Sequence, residues 1–140
     1  MKSFGKIFFG GVALLLGCGM AMLTSEYRDW TFIQQVGGLT AGEAQKMENG
    51  TYRLPILCDV SGREITSKPT TANSGLIVRE TGFSIHKNSI QIWIKTCLAD
   101  GKHNAFAPDV LLKNIPSGTY QVQYRNRDGS TVNLRAIEIK

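Results

Sequence analysis

The sequence predicts a mainly β protein: a small antiparallel β-sandwich behind an N-terminal signal or anchor helix and a short, partly helical connector. Three observations carry this reading. Apolar and polar residues alternate in several short runs from Thr51 onward. Turn residues recur about every 8–12 positions between those runs. No long helical period follows the first two dozen residues.

Residues 1–23 read as a targeting segment. Lys2 and Lys6 form a positive start, residues 7–16 form an apolar stretch, and small residues follow. Leu15-Leu16-Gly17-Cys18 resembles the bacterial lipobox, in which lipid is attached to the cysteine thiol and cleavage just before it frees a lipidated N-terminus. The resemblance implies lipidation of Cys18. Gly19, in place of an aspartate, implies an outer-membrane destination, facing the periplasm or the surface. Two alternatives stay open. Ordinary cleavage after Ala21 would release the body, and no cleavage would leave residues 7–23 as a short inner-membrane anchor with the body outside.

Residues 24–50 read as the connector. Ser25 suits the cap of a short helix with Tyr27, Trp30 and Ile33 on one face, ended by Gly37-Gly38. Thr40 and Glu43 match a capping box before a second short helix over residues 41–47. An extended strand over residues 32–39 is the alternative.

The β body spans residues 51–140. Tyr52, Leu54, Ile56, Cys58 and Val60 alternate, and Pro55 marks an edge or a bulge. Gly62 turns the chain with Arg63, residues 64–67 return, and a Thr/Ser/Pro-rich loop reaches Gly75. A strand over residues 76–80 is then expected to break at Gly82. A two-residue turn at Lys87-Asn88 pairs Ile85 with Ile90 and Phe83 with Ile92, so that the apolar row of this hairpin faces a core. In the last hairpin a three-residue loop, Arg127-Asp128-Gly129, pairs Tyr124 with Val132 and Val122 with Leu134 and places Gly129 in a left-handed bulge. Ile137 and Ile139 break the alternation, which calls for a bulge or a change of sheet near Ala136. Ile115-Pro116-Ser117-Gly118-Thr119-Tyr120 resembles the turn that enters a late strand in immunoglobulin-like and transthyretin-like exported domains, and that resemblance implies a sandwich of one of those kinds.

Composition narrows the function. The chain has 140 residues and a formal net charge of +5, of which Lys2 and Lys6 supply two. The remaining basic residues are scattered, which argues against a nucleic-acid partner. With Cys18 assigned to lipid, Cys58 and Cys97 are the candidate disulfide of an exported domain. The strand parity of Cys97 matches Trp93 rather than Ile92 and Ile94, so that bond requires a bulge near Thr96 or Cys97 lying beyond the strand end.

Little points to catalysis. His86 lies in a tight hairpin with Ser84, and His103 lies in a loop with Asp100. Neither spacing forms a Ser–His–acid set, and His103, Asp100 and Asp109 make only a generic loop cluster. Asp59, Glu64 and Glu80 form no hydrolytic pair. Asn49-Gly50-Thr51 matches a glycosylation sequon that carries no meaning in a bacterial host. No metal and no cofactor is expected. Trp93 falls on the polar side of its strand, either covered there or exposed as a partner anchor, and Arg125 and Arg135 fall with Gln121 and Gln123 on one polar face.

These features imply a non-enzymatic binding or structural module of the cell envelope. It would be held to a membrane by lipid or helix and would dock onto a larger envelope or surface complex such as a pilus, adhesion or secretion assembly. A protective lipoprotein against toxin, phage or conjugation is the alternative, and a hydrolase ranks third. The intact mass of the protein extracted from host membranes is expected to correspond to Cys18 plus acyl chains, and a mass beginning at Met1 would replace the lipoprotein with an uncleaved anchor.

Overall fold

A computed structural model describes residues 25–58, 76–98 and 107–140. Cys18, the targeting segment, the turn at Gly62-Arg63 and the loop with Asp100 and His103 lie outside the described residues. Those described form a mainly β protein with one short helix and three sheets. None of their helices is long and apolar enough to cross a membrane.

The elements run β1 (Glu26–Tyr27), α1 (Trp30–Gln35), β2 (Leu39–Ala41), β3 (Gln45–Lys46), β4 (Tyr52–Leu54), β5 (Ile56–Cys58), β6 (Leu76–His86), β7 (Ser89–Leu98), β8 (Val110–Leu112), β9 (Gly118–Arg125) and β10 (Thr131–Ile139). The connector is less helical than its sequence suggests. Its helix starts after Asp29 rather than at Ser25, and residues 41–47, expected to be helical, hold the end of β2 and all of β3. Pairing with β5 and β4 supplies backbone partners that an isolated helical turn there would lack.

The alternation over residues 52–58 is real, with Tyr52, Leu54, Ile56 and Cys58 all buried. Pro55 divides it. β4 pairs with β3 and β8, β5 pairs with β2, and the Pro55 carbonyl accepts the Gly42 N–H at 2.8 Å. A residue without an N–H thus stands where the chain passes from one small sheet to the next.

The large sheet is built on β7. Along one edge it pairs with β6 in the register Ile85–Ile90 and Phe83–Ile92, as the two-residue turn requires. Gly82 does not break β6. The irregularity falls at Arg79, between Val78 and Glu80. Ile90, Ile92 and Ile94 are fully buried, but Phe83 and Ile85 remain 37% and 40% exposed. The register was legible, but the core does not reach the end of this hairpin.

The other edge of β7 is shared by two strands. β9 runs parallel to it over Ser89 to Ile92, which departs from the all-antiparallel expectation. The physical reason is the route: after β7 the chain adds β8 to the small sheet of β4 and then returns, a crossover that permits parallel pairing. Beyond Ile92, β1 takes over antiparallel, with Tyr27 opposite Lys95 and Glu26 opposite Thr96. At the seam the Arg28 N–H donates to the Ile94 carbonyl at 3.0 Å, and the Ile94 N–H donates to the Tyr124 hydroxyl at 3.3 Å. That hydroxyl donates in turn to the Arg28 carbonyl at 2.5 Å.

β10 pairs with β9 through the expected three-residue loop. Gly129 has φ +85°, a value that favours glycine, and Val132 lies opposite Tyr124. The bulge comes earlier than Ala136. It lies between Asn133 and Arg135, so Val122 faces Arg135 instead of Leu134. Shifting by one residue exchanges the two faces of a strand, which is how Ile137 and Ile139 come to be buried. Side chains of all three sheets, with Ile33 of α1, meet in one core.

The Tyr124 seam predicts two outcomes. Tyr124→Phe leaves the Ile94 N–H and the Arg28 carbonyl without their partner and is expected to cost about 1–3 kcal/mol in urea denaturation. Burial also raises the Tyr124 phenol above its ordinary 10.0. Below that pH both folded and unfolded chains keep the proton. Above it the unfolded chain ionises first, so stability is expected to fall as pH rises, with a smaller fall in Tyr124→Phe.

Candidate functional site

The two faces of the large sheet differ in chemistry. The inner face carries the isoleucines of β7. On the outer face the cross-strand pairs are Ser84–Gln91–Gln123–Asn133 in one row, then Gly82 beside Trp93, then Glu80–Lys95–Tyr27. Gln123 donates its amide to Asn133 at 2.8 Å, and Lys95 pairs with Glu80 at 3.4 Å.

Trp93 is the centre of this face. Its indole lies directly over Gly82: a Cβ built on that glycine would stand 2.2 Å from the ring. Glycine in a strand leaves bare backbone, and a cross-strand aromatic that covers it restores the lost packing. The Tyr27 ring stacks on the indole at 6.5 Å between centroids and 13° between planes, and the Arg125 guanidinium lies 5.7 Å from the indole centre. The Tyr27 hydroxyl donates to the Arg125 carbonyl. Burial, ahead of the opposing Arg125 charge, raises the Tyr27 phenol above its usual value, so it remains a neutral donor. Trp93 is therefore half-buried against its own sheet, with an arginine at its side.

The neighbouring hairpin loop is held to β1. Arg127 Nε donates to the Tyr27 carbonyl at 2.9 Å and its guanidinium pairs with Glu26 at 3.1 Å, while its N–H donates to Asp29 at 2.9 Å. Asn126 accepts the Trp30 N–H at 2.8 Å. Glu26 also pairs with Arg28 at 3.0 Å.

Arg135 does not join Arg125. The bulge turns it to the opposite side of the hairpin, where it donates to the Ala41 carbonyl at 3.3 Å and pairs with Glu43 at 3.5 Å. There it lines a cleft of about 520 Å³ with Lys46, Tyr52, Glu138 and Lys140. That cleft largely neutralises itself, because Lys140 pairs with Glu138 at 3.6 Å.

The cysteines are also separated. Cys58 belongs to the common core opposite Leu39, whereas Cys97 pairs with Ile77 on the other face of the large sheet. The irregularity beside Thr96 falls on β6, at Arg79, and Cys97 lies within β7, so the parity of β7 is unchanged and no disulfide joins Cys58 to Cys97. Among the described residues no three His, Cys, Asp or Glu side chains group to hold a metal. Asp109 pairs with Arg53 at 3.9 Å, and His86 is exposed at the β6–β7 turn.

Sequence reasoning reached Trp93 and Arg125 but missed Gly82 and Tyr27. The Gly82–Trp93 pair was within reach, since the turn at Lys87-Asn88 sets it. Tyr27 was not, because its strand joins β7 from far along the chain.

Gly82→Ala is expected to push the indole off the sheet, destabilising the fold by about 1–3 kcal/mol and shifting tryptophan emission to the red; unchanged emission would mean that the indole does not rest on Gly82. Comparison with known proteins shows no match: no family model fits this chain, and no curated protein and no solved structure is significantly similar to it.

Proposed function

We propose that this chain is a non-enzymatic, membrane-tethered binding module of the cell envelope that docks a partner protein on the outer face of its large sheet. The observation that carries the reading is Trp93, held by Gly82 and Tyr27 and flanked by Arg125. A half-buried tryptophan packed on its own sheet, with an arginine beside it, presents the residue types that anchor protein interfaces, and little freedom of the indole is lost on binding.

The tether is the lipid on Cys18, which puts the domain at the outer membrane, facing the periplasm or the surface. An uncleaved inner-membrane anchor is the alternative. The partner belongs to a larger envelope or surface complex. We also take the two small sheets as one broken layer packed on the large sheet, which makes the body a β-sandwich. The Tyr120 hydroxyl donates to the Pro116 carbonyl at 3.0 Å. This is similar to the tyrosine corner of immunoglobulin-like sandwiches and supports that kind of architecture over a transthyretin-like one.

A photo-crosslinking residue at Asn133, exposed on the outer face, is expected to capture a defined envelope protein in host membranes. The same residue at Glu48, exposed elsewhere, is not. Equal capture from both positions, or none from Asn133, would defeat the proposal.

A further inference from the structure

The outer face has a charge pattern that says more about its partner. Lys95 pairs with Glu80 at 3.4 Å, and Arg127 pairs with Glu26 at 3.1 Å. Arg125 is different: among the described residues its guanidinium forms no ion pair with a carboxylate. Its charged group rests beside the indole instead, 5.7 Å from the ring centre. Its backbone is fixed from both sides: the carbonyl accepts from the Tyr27 hydroxyl, and Thr131 lies opposite on β10. The guanidinium is thus a positioned, half-buried cation with donors left over. Beside it stand the amides of Gln91, Gln123 and Asn133, which can bond peptide backbone.

We infer that this face recognises an acidic peptide segment of its partner, with a carboxylate on Arg125 and an adjoining apolar side chain on the exposed part of Trp93. The inference rests on the docking role proposed above and names the chemistry of the docked surface. A guanidinium takes a carboxylate through two parallel N–H···O bonds, and the partly dry setting beside the indole strengthens that pair relative to one in open water. The chain without Lys2 and Lys6 keeps a formal net charge of +3 (14 minus 11), which favours the same partner sign at long range. An anionic membrane surface is the weaker fit. Lipid headgroups are held by clusters of about 4–8 cations, whereas Lys95 and Arg127 of this face are already paired with Glu80 and Glu26.

The test measures binding of the full-length protein in detergent to a capped, fluorescein-labelled peptide of alternating aspartate and phenylalanine, read by anisotropy. Saturable binding is expected, weakening as salt is raised. Arg125→Gln should weaken it about tenfold or more, and Trp93→Leu should weaken it as well. Lys140→Gln, which removes a cation far from this face, should not. Circular dichroism confirms that each variant is folded.

The inference is overturned if the acidic peptide fails to bind, if the asparagine version binds as well, or if Arg125→Gln leaves affinity unchanged. It is also overturned if vesicles containing phosphatidylglycerol bind more tightly than the peptide in an Arg125-dependent way. Crosslinking from Asn133 in the Arg125→Gln background separates the two proposals. Undiminished capture of the same partner removes acidic recognition and leaves docking intact, whereas capture from neither background removes docking itself.

Discussion

The large sheet depends on one buried hydroxyl. Where β9 ends beside β7, the Ile94 N–H would face bare core, and an unbonded amide there would cost about as much as several side-chain contacts. The Tyr124 hydroxyl accepts that N–H and passes a bond on to the Arg28 carbonyl, while the Arg28 N–H reaches the Ile94 carbonyl. This small ring of bonds joins a parallel neighbour to an antiparallel one along a single edge. It also decides where β1 sits. Because Tyr27 follows from that placement, the geometry around Trp93 is a consequence of a polar bond on the opposite, buried side of the sheet.

The chain then separates two arginines that sequence spacing had put together. One extra residue in β10, between Asn133 and Arg135, reverses the faces of everything after it. The reversal buries Ile137 and Ile139, and that gain in apolar burial explains why the bulge forms. A by-product is that Arg135 is carried to the cleft with Glu43, leaving Arg125 beside the indole. The chemistry of the outer face is therefore shaped partly by the needs of the core.

Gly82 and the cysteines illustrate the same constraint from the sheet's two sides. Gly82 reads in sequence as a break, yet it sits within a continuous strand because the Trp93 ring covers it. Cys58 and Cys97 read in sequence as a pair because the targeting-like segment suggests an exported body. They lie on different sheets, and the sheet between their positions keeps Cys97 turned away from the core. Strand parity already showed that difficulty, and the continuity of β7 through Cys97, with the irregularity on β6 instead, decided it.

Local pattern alone determined much of this protein. The β class, the β6–β7 register and the three-residue loop before β10 all follow from side-chain alternation and turn residues, which act over a few positions. The face on which Trp93 lies was also legible, from its parity against Ile92 and Ile94. Tertiary structure decided the rest. The parallel pairing of β7 with β9, the capture of Tyr27 by the far edge of β7, the conversion of an expected helix over residues 41–47 into strand, and the division of the chain at Pro55 between two sheets all depend on partners distant in sequence. Backbone groups must find hydrogen bonds wherever the core places them, and local propensity does not record which distant strand will supply them.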